Sequence, residues 1–178
     1  MRPVILKMEI SLDGYAGTTD GDVEWIFRTF DDDLSAHEVE LLASAGVHAM
    51  GRVTYEDMAA HWPSSTEPYA PPMNDIPKVV FSRTLERAEW GPARIARGDL
   101  AEEIAALKAE PGGPVLVHGG AGFARSLSRL GLVDEYRLHV HPDALGAGLS
   151  IFADPARLRL RGARTFPAGT LALHYELA

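Results

Sequence analysis

The stretch Val115-Leu116-Val117-His118-Gly119-Gly120-Ala121-Gly122-Phe123 is the part of the chain best suited to ligand chemistry. A short apolar run ends in glycines and a helical pattern begins at once, with Phe123, Leu127 and Leu130 at helical spacing. Glycines at a strand-to-helix turn let a ligand come close to the backbone. The first N–H groups of the helix have no internal partners and carry partial positive charge. Such a turn suits a phosphate group or the carboxamide of a dinucleotide. The spacing is not the G-x-G-x-x-G fingerprint, and a glycine turn can also be purely structural. Met50-Gly51-Arg52-Val53-Thr54-Tyr55-Glu56 has the same shape after the apolar Val47–Met50. Thr54 with Asp57 reads as a helix N-cap, and Arg52 would stand at a helix N-terminus, where a cation is misplaced unless an anion joins it. A third strand, Lys78–Phe81, leads into Ser82-Arg83-Thr84. Three strand ends thus offer glycine, hydroxyl or guanidinium groups where open α/β sheets bind ligands.

Acid–base chemistry has several sources. Lys7 and Glu9 alternate with Val4, Leu6, Met8 and Ile10, so they share one face of a strand. Charged residues there either line a pocket or pair with each other. Asp33 belongs to the acidic run Asp31-Asp32-Asp33, which also suits a solvated helix start. His139 and His141 share a strand face, but two histidines need a third ligand, and no metal site is expected. Trp25, Tyr55 and Trp62 could stack on a flat ring or serve ordinary packing.

The elements that must position these groups are legible from periodicity and punctuation. A strand at 3–10 leads into a Gly-rich loop to about residue 24. Ser35 with Glu38 reads as a capping box, Val39, Leu42 and Ala43 as the buried stripe of its helix, and Gly46 as its end. Residues 63–77 hold five prolines and read as a surface loop. Asp99 and Glu102 open a helix with Leu100, Ile104 and Leu107 on one face, and the Pro-Gly-Gly-Pro at 111–114 stops it. Further strands are expected near 93–96, at 114–118 and at 135–141, with a helix at 121–130. The stretches 157–166 and 170–177, split by Pro167-Ala168-Gly169, read as a terminal antiparallel hairpin. This pattern predicts one α/β domain over 1–178, a three-layer α/β/α sandwich with a mostly parallel central sheet.

Composition sets outer bounds. With 46% apolar and 24% charged residues the chain is globular. A net charge of −8 leaves no basic face for nucleic acid, so any phosphate-binding arginines act locally. The absence of cysteine removes disulfide and thiolate chemistry. No apolar run approaches the ~18 residues of a membrane span, and the first residues enter a strand directly, so a cytoplasmic protein is expected.

Five motifs occur in order: Ser11-Leu12-Asp13-Gly14-Tyr15-Ala16-Gly17, Gly51-Arg52-Val53-Thr54-Tyr55, Val117-His118-Gly119-Gly120-Ala121, Leu132-Val133-Asp134-Glu135, and Pro142-x3-Gly146-x-Gly148. Together they resemble the dihydrofolate-reductase-like family, which includes the reductase domain of the bifunctional riboflavin-pathway deaminase-reductase. The resemblance is closest to small stand-alone bacterial members, and no deaminase zinc motif accompanies it. It implies a dihydrofolate-reductase-like sheet and an NADPH-dependent reductase, acting by hydride transfer on a small heterocyclic or carbonyl substrate of aminouracil or pterin type. It assigns Gly119, Gly120, Ala121 and Gly122 to the pyrophosphate side of the cofactor. Arg52, Val53 and Thr54 are assigned to its phosphates, and Ser82 and Arg83 to its 2′-phosphate. The loop from Ser11 to Gly17 would cover the nicotinamide, with the small Ala16 allowing close approach. Lys7 matches a lysine of the riboflavin-pathway domains. Folate reductases place a carboxylate early in the helix after this loop. Spacing back from Gly51 reaches Ser35 instead, with Asp33 the nearest acid. Lys7 and Glu9 are therefore the preferred proton source over Asp33, and Trp25 and Tyr55 the expected substrate contacts. Folate reduction proper and a non-catalytic dinucleotide-binding protein stand as alternatives. A homodimer through residues 140–145 and the terminal hairpin is expected.

Overall fold

A computed structural model describes residues 1–178. Eight strands form one sheet: β1 (Val4–Ser11), β2 (Val47–Gly51), β3 (Lys78–Phe81), β4 (Ala93–Ala96), β5 (Val115–His118), β6 (Glu135–His141), β7 (Leu158–Thr165) and β8 (Leu171–Leu177). Their spatial order is β4-β3-β2-β5-β1-β6-β8-β7. The first six strands are mutually parallel, and β8 alone runs against them, pairing with both β6 and β7. Five α-helices cover the sheet: α1 (Asp32–Ala43), α2 (Arg52–His61), α3 (Ala70–Asp75), α4 (Leu100–Ala109) and α5 (Ala121–Arg129).

The two faces of the sheet differ in chemistry. Val4, Leu6, Met8 and Ile10 of β1 point into one core together with Val115, Val117, Tyr136 and Leu138, and α4 and α5 seal it through Ile104, Leu107, Ala124 and Leu127. The other face carries α1, α2 and α3 and begins as a second apolar cluster with Ile5, Met50, Val80, Leu42, Tyr55 and Met73. Across that same face runs a belt of buried polar groups: Lys78, His48, His118, His139 and His141 are each no more than 4% exposed. Buried polar groups need partners: Lys78 Nζ donates to the Asn74 and Ile76 carbonyls at 2.8 and 2.9 Å, His48 and His118 bond each other at 2.9 Å, and His139 and His141 both meet Glu9.

Several local expectations are corrected. The cap of α1 is Asp31, whose carboxylate accepts from Leu34 N at 2.8 Å, so Ser35 and Glu38 lie inside the helix and form no capping box. The buried stripe of α1 is Leu34, Glu38 and Leu42, while Ala43 is exposed. Helix α2 starts at Arg52 with Gly51 as its N-cap, so Thr54 is not the cap. The proline-rich stretch is not only loop: Pro71 and Pro72 occupy the first turn of α3, where the missing N–H costs nothing. In α5 it is Ala124 and Leu127 that are buried, whereas Leu130 is 49% exposed just past the helix end. The Asp99 cap, the α4 stripe and the terminal hairpin form as expected, with Asp99 accepting from Ala101 N and Glu102 N.

Candidate functional site

The C-terminal ends of β5 and β2 place two helix N-termini side by side. Helix α5 follows Gly120 and helix α2 follows Gly51, and neither first turn has a side-chain cap. Thr54 joins them: its hydroxyl donates to the Gly119 carbonyl at 2.8 Å and accepts from Gly120 N at 2.7 Å. The Gly119–Gly120 peptide is cis. A Cβ at 119 would stand 3.0 Å from Met8 Sδ and 3.1 Å from its Cε, so the flexible end of Met8 packs closely under the turn. At Gly122 a Cβ would meet nothing within 4 Å, so the first turn of α5 opens onto free space. Two uncapped N-termini converging on an open glycine turn are a fitting cradle for an anionic group.

The loop after β1 closes over the same end of the sheet. Asp13 is its anchor: Leu145 N and Gly146 N donate to its two carboxylate oxygens at 3.1 and 2.7 Å, and Ser11 Oγ donates at 2.6 Å. The Ser11 hydroxyl and these backbone N–H groups hold the Asp13 carboxyl below its ordinary range. Ala16, buried, donates its N–H to the Leu149 carbonyl at 2.8 Å, and Leu149 N returns a bond to Gly17 O at 2.9 Å. Gly148 lies so close to this loop that a Cβ would overlap the Gly17 carbonyl and stand 2.8 Å from Tyr15 Cβ.

Beside the cradle, on the polar face, four side chains close a ring of alternating charge. Lys7 Nζ lies 2.7 Å from Glu9 Oε1 and 2.6 Å from Glu38 Oε1, and His139 Nδ1 lies 3.0 and 2.8 Å from the same two oxygens. Strand register sets this up, because Glu9 is the direct neighbour of His139 on β6, and α1 brings Glu38 down from above. Glu9 Oε2 also accepts from His141 Nε2 at 2.7 Å, and His141 Nδ1 meets Thr29 Oγ1 at 2.7 Å. The side chains of Lys7 and Glu9 are 15% and 12% exposed, those of Glu38 and His139 only 5% and 1%, so the first two form the open front of the ring.

Burial works against every charge in the ring, and pairing decides the outcome. Burial by itself would lower the Lys7 pKa, but Glu38 and Glu9 together hold it above its ordinary value. Burial pushes Glu9 up, yet Lys7 and His139 bring it well below the usual carboxylate range. Glu38 is pushed up by burial and then by Glu9, against the pull of Lys7. Burial would also depress His139, but Glu9 and Glu38 raise it to about 9. A single Nδ1–H cannot serve two carboxylates well, and Glu38 Oε1 has no hydrogen bond of good geometry despite its close charged neighbours.

With this geometry in view, the sequence matches the family model of the RibD C-terminal domain over residues 2–172. The chain belongs to the RibD C-terminal domain family. It is 29% identical over 183 residues to YyaP of Bacillus subtilis (strain 168), covering 98% of this chain and 95% of that protein. It is 27% identical over 170 residues to the riboflavin biosynthesis protein RibD of Corynebacterium ammoniagenes, where the match covers 90% of this chain but 49% of that protein. Among solved structures, a Shewanella sp. PV-4 protein assigned to riboflavin biosynthesis superposes with a TM-score of 0.80 at 21% identity, each chain 99% covered. Dihydrofolate reductase from Enterococcus faecalis, solved with NADP(H), superposes with a TM-score of 0.62 at 12% identity, covering 98% of this chain and 94% of that one. The fold is thus dihydrofolate-reductase-like, and the family is one of riboflavin-pathway-type reductases.

Within this RibD-type domain the expected site residues separate into groups. Gly119, Gly120, Ala121, Gly122, Val53 and Thr54 gather at the cradle, with Val53 60% exposed at the α2 N-terminus. Arg52 is there too, exposed, with its guanidinium 2.9 Å from Glu56 on the same helix. Ser82 Oγ caps the turn after β3, accepting from Thr84 N at 3.2 Å and Leu85 N at 2.9 Å, and the exposed Arg83 side chain has no ion-pair partner. Trp25 is buried edge-on against His141, with ring centroids 5.6 Å apart, at the rim of the charged ring. Tyr55 does not join the site: it is buried in the second core, packs on Trp90 and accepts from Trp90 N at 2.8 Å. Asp33 does not join it either, being exposed in the first turn of α1 with no polar partner.

Sequence reasoning missed Glu38, the acid that faces Lys7. The signal was present: Leu34, Glu38 and Leu42 are spaced four apart, which puts an acid in the middle of a buried helical stripe. His139 and His141 were legible as facing the same side, but the carboxylates they would meet were not.

Proposed function

We propose that this chain is an NADPH-dependent reductase of a small heterocyclic or carbonyl substrate, of aminouracil or pterin type. The observation that carries the reading is the pair of uncapped helix N-termini, clasped by Thr54, next to a charged ring with an open front. The cradle of Gly119, Gly120, Ala121, Gly122, Val53 and Thr54 takes the pyrophosphate. Ser82 and the unpaired Arg83, with Arg52 released from Glu56, take the 2′-phosphate, since a guanidinium beside a hydroxyl suits a dianion. Ala16 lines the nicotinamide side. A bound reduced nicotinamide supplies the hydride. Lys7, at the front of the ring, polarises the substrate atom on which negative charge develops and stabilises that charge. As the hydride arrives, Lys7 gives one ammonium proton to that atom, and protonated His139 returns one proton to Lys7 through Glu9, whose Oε1 lies 2.7 Å from Lys7 Nζ and 3.0 Å from His139 Nδ1. Asp33, exposed in the first turn of α1, takes no part. Trp25 borders the substrate. The protein acts as a cytoplasmic homodimer through residues 140–145 and the terminal hairpin; light scattering that gives a monomer at micromolar concentration would remove that part. No helix is long and apolar enough to cross a membrane.

The test is titration of NADPH and NADH by quenching of tryptophan fluorescence. NADPH binds tighter, because only it offers a 2′-phosphate, and a lost charge-assisted contact costs about 1.5–3 kcal/mol. Equal affinities overturn the assignment of Arg52, Ser82 and Arg83.

A further inference from the structure

His118 ends β5 and immediately precedes the Gly119–Gly120 turn, and its register partner on β1 is Lys7. Its imidazole makes one hydrogen bond within the chain, between Nε2 and His48 Nδ1 at 2.9 Å. His48 is wholly buried, and its Nε2 lies 3.1 Å from the Pro72 carbonyl oxygen. That carbonyl settles the protons, because it can only accept. His48 Nε2 must carry its hydrogen. A neutral imidazole has one N–H, so His48 Nδ1 is a lone pair. His118 Nε2 must then donate to it, and His118 Nδ1 is left as a lone pair with no partner in the chain. Burial holds His48 neutral, lowering its pKa to about 4, and burial with His48 keeps His118 well below its ordinary value. Neither ring escapes the arrangement by taking a second proton.

We propose that His118 Nδ1 is a fixed hydrogen-bond acceptor for the bound ligand, selecting molecules that present an N–H or O–H donor, with His48 and the Pro72 carbonyl as the positioning groups behind it. The proposal rests on the ligand site described above. Lys7, the register partner of His118 on the adjacent strand, has three N–H donors and two close carboxylates. The site therefore offers a donor and an acceptor on adjacent strands, and the acceptor cannot switch roles.

Long-range proton–nitrogen correlation spectra of the imidazoles test the lock directly. Near neutral pH, His118 and His48 are both expected as neutral Nε2–H tautomers. His48→Leu releases His118 to exchange between tautomers. His48→Asn, whose Oδ1 stands in for the lost Nδ1 lone pair, restores the single form. The ligand arm uses uracil and 1,3-dimethyluracil as probes, with and without saturating NADPH. Uracil shifts the His118 Nδ1 signal and binds about tenfold or more tighter than its dimethyl derivative, the range expected when an acceptor covered by the ligand loses its donor. His118→Leu binds NADPH like the wild type yet treats the two probes alike, and His118→Asn keeps the preference. An Nδ1–H tautomer at His118 overturns the proposal, as does a wild type that responds equally to both probes or to neither. A wild type that fails to bind NADPH refutes the reductase reading, while the cofactor-free spectra and probe titrations still decide this one.

Discussion

Replacing Lys7 with methionine removes the one ammonium from a site that keeps two carboxylates. Nζ is 2.7 Å from Glu9 and 2.6 Å from Glu38, and the three side chains are 15%, 12% and 5% exposed, so solvent cannot take over the lost pairing. Breaking a buried pair from one side costs about 3–5 kcal/mol, because the remaining charge is left uncompensated. For a domain of this length each kcal/mol lowers the melting temperature by about 2–4 °C, so Lys7→Met should melt about 6–20 °C lower. Methionine fills nearly the same volume, which keeps cavity effects small. The partner substitution isolates the cause. In Lys7→Met with Glu38→Gln, one of the two stranded charges is gone, and Glu9 retains His139 at 3.0 Å and His141 at 2.7 Å. The double variant should recover part of the loss, with a coupling on the order of 1–3 kcal/mol in a double-mutant cycle by chemical denaturation. A Lys7→Met protein that melts within about 2 °C of the wild type, or losses that simply add, would refute the charged ring as described.

Three further outcomes are expected. His139 is raised to about 9 in the folded protein from an ordinary 6.5, so it contributes stability that is complete below its unfolded value and disappears as pH rises through its folded one. Comparing wild type with His139→Asn cancels the opposite drift of Lys78, which burial lowers to about 8; the stability difference should shrink by about 3 kcal/mol between about pH 6 and about pH 10, and a constant difference contradicts the pairing. Gly122→Val places a side chain where nothing lies within 4 Å, so the melting temperature should hold while NADPH affinity falls about tenfold or more; unchanged affinity removes the cradle as the cofactor site. Gly148→Ala forces a Cβ into the Gly17 carbonyl and to 2.8 Å from Tyr15 Cβ, so it should cost about 1–3 kcal/mol and loosen the loop after β1 in hydrogen exchange; wild-type protection there would show that the two loops are not packed as described.

Much of the architecture was written in local pattern. Alternation along Val4–Ile10 gave the faces of β1, and Asp99 with its stripe gave α4. The Pro-Ala-Gly break gave the terminal hairpin, and each depends only on neighbours in the chain. The glycine turn at 119–122 and the shared face of Lys7 and Glu9 were equally local, because period two alone sends both side chains the same way. What the sequence could not supply was the partner of each charge. Glu38 is 29 residues from Glu9, and His139 is 130 from it (38 − 9 and 139 − 9), so no periodicity links them. A parallel sheet sets residues from distant strands in register, and a helix from a third segment lowers its acid onto them. The same holds for Tyr55, whose aromatic type suggests stacking on a ligand until Trp90 is seen to occupy its ring and hydroxyl. Residue type and local spacing determined which groups share a face. Only long-range packing decided which were neutralised, which were left with a free lone pair, and which merely fill the core, because the low polarity of the interior makes each such choice worth several kcal/mol.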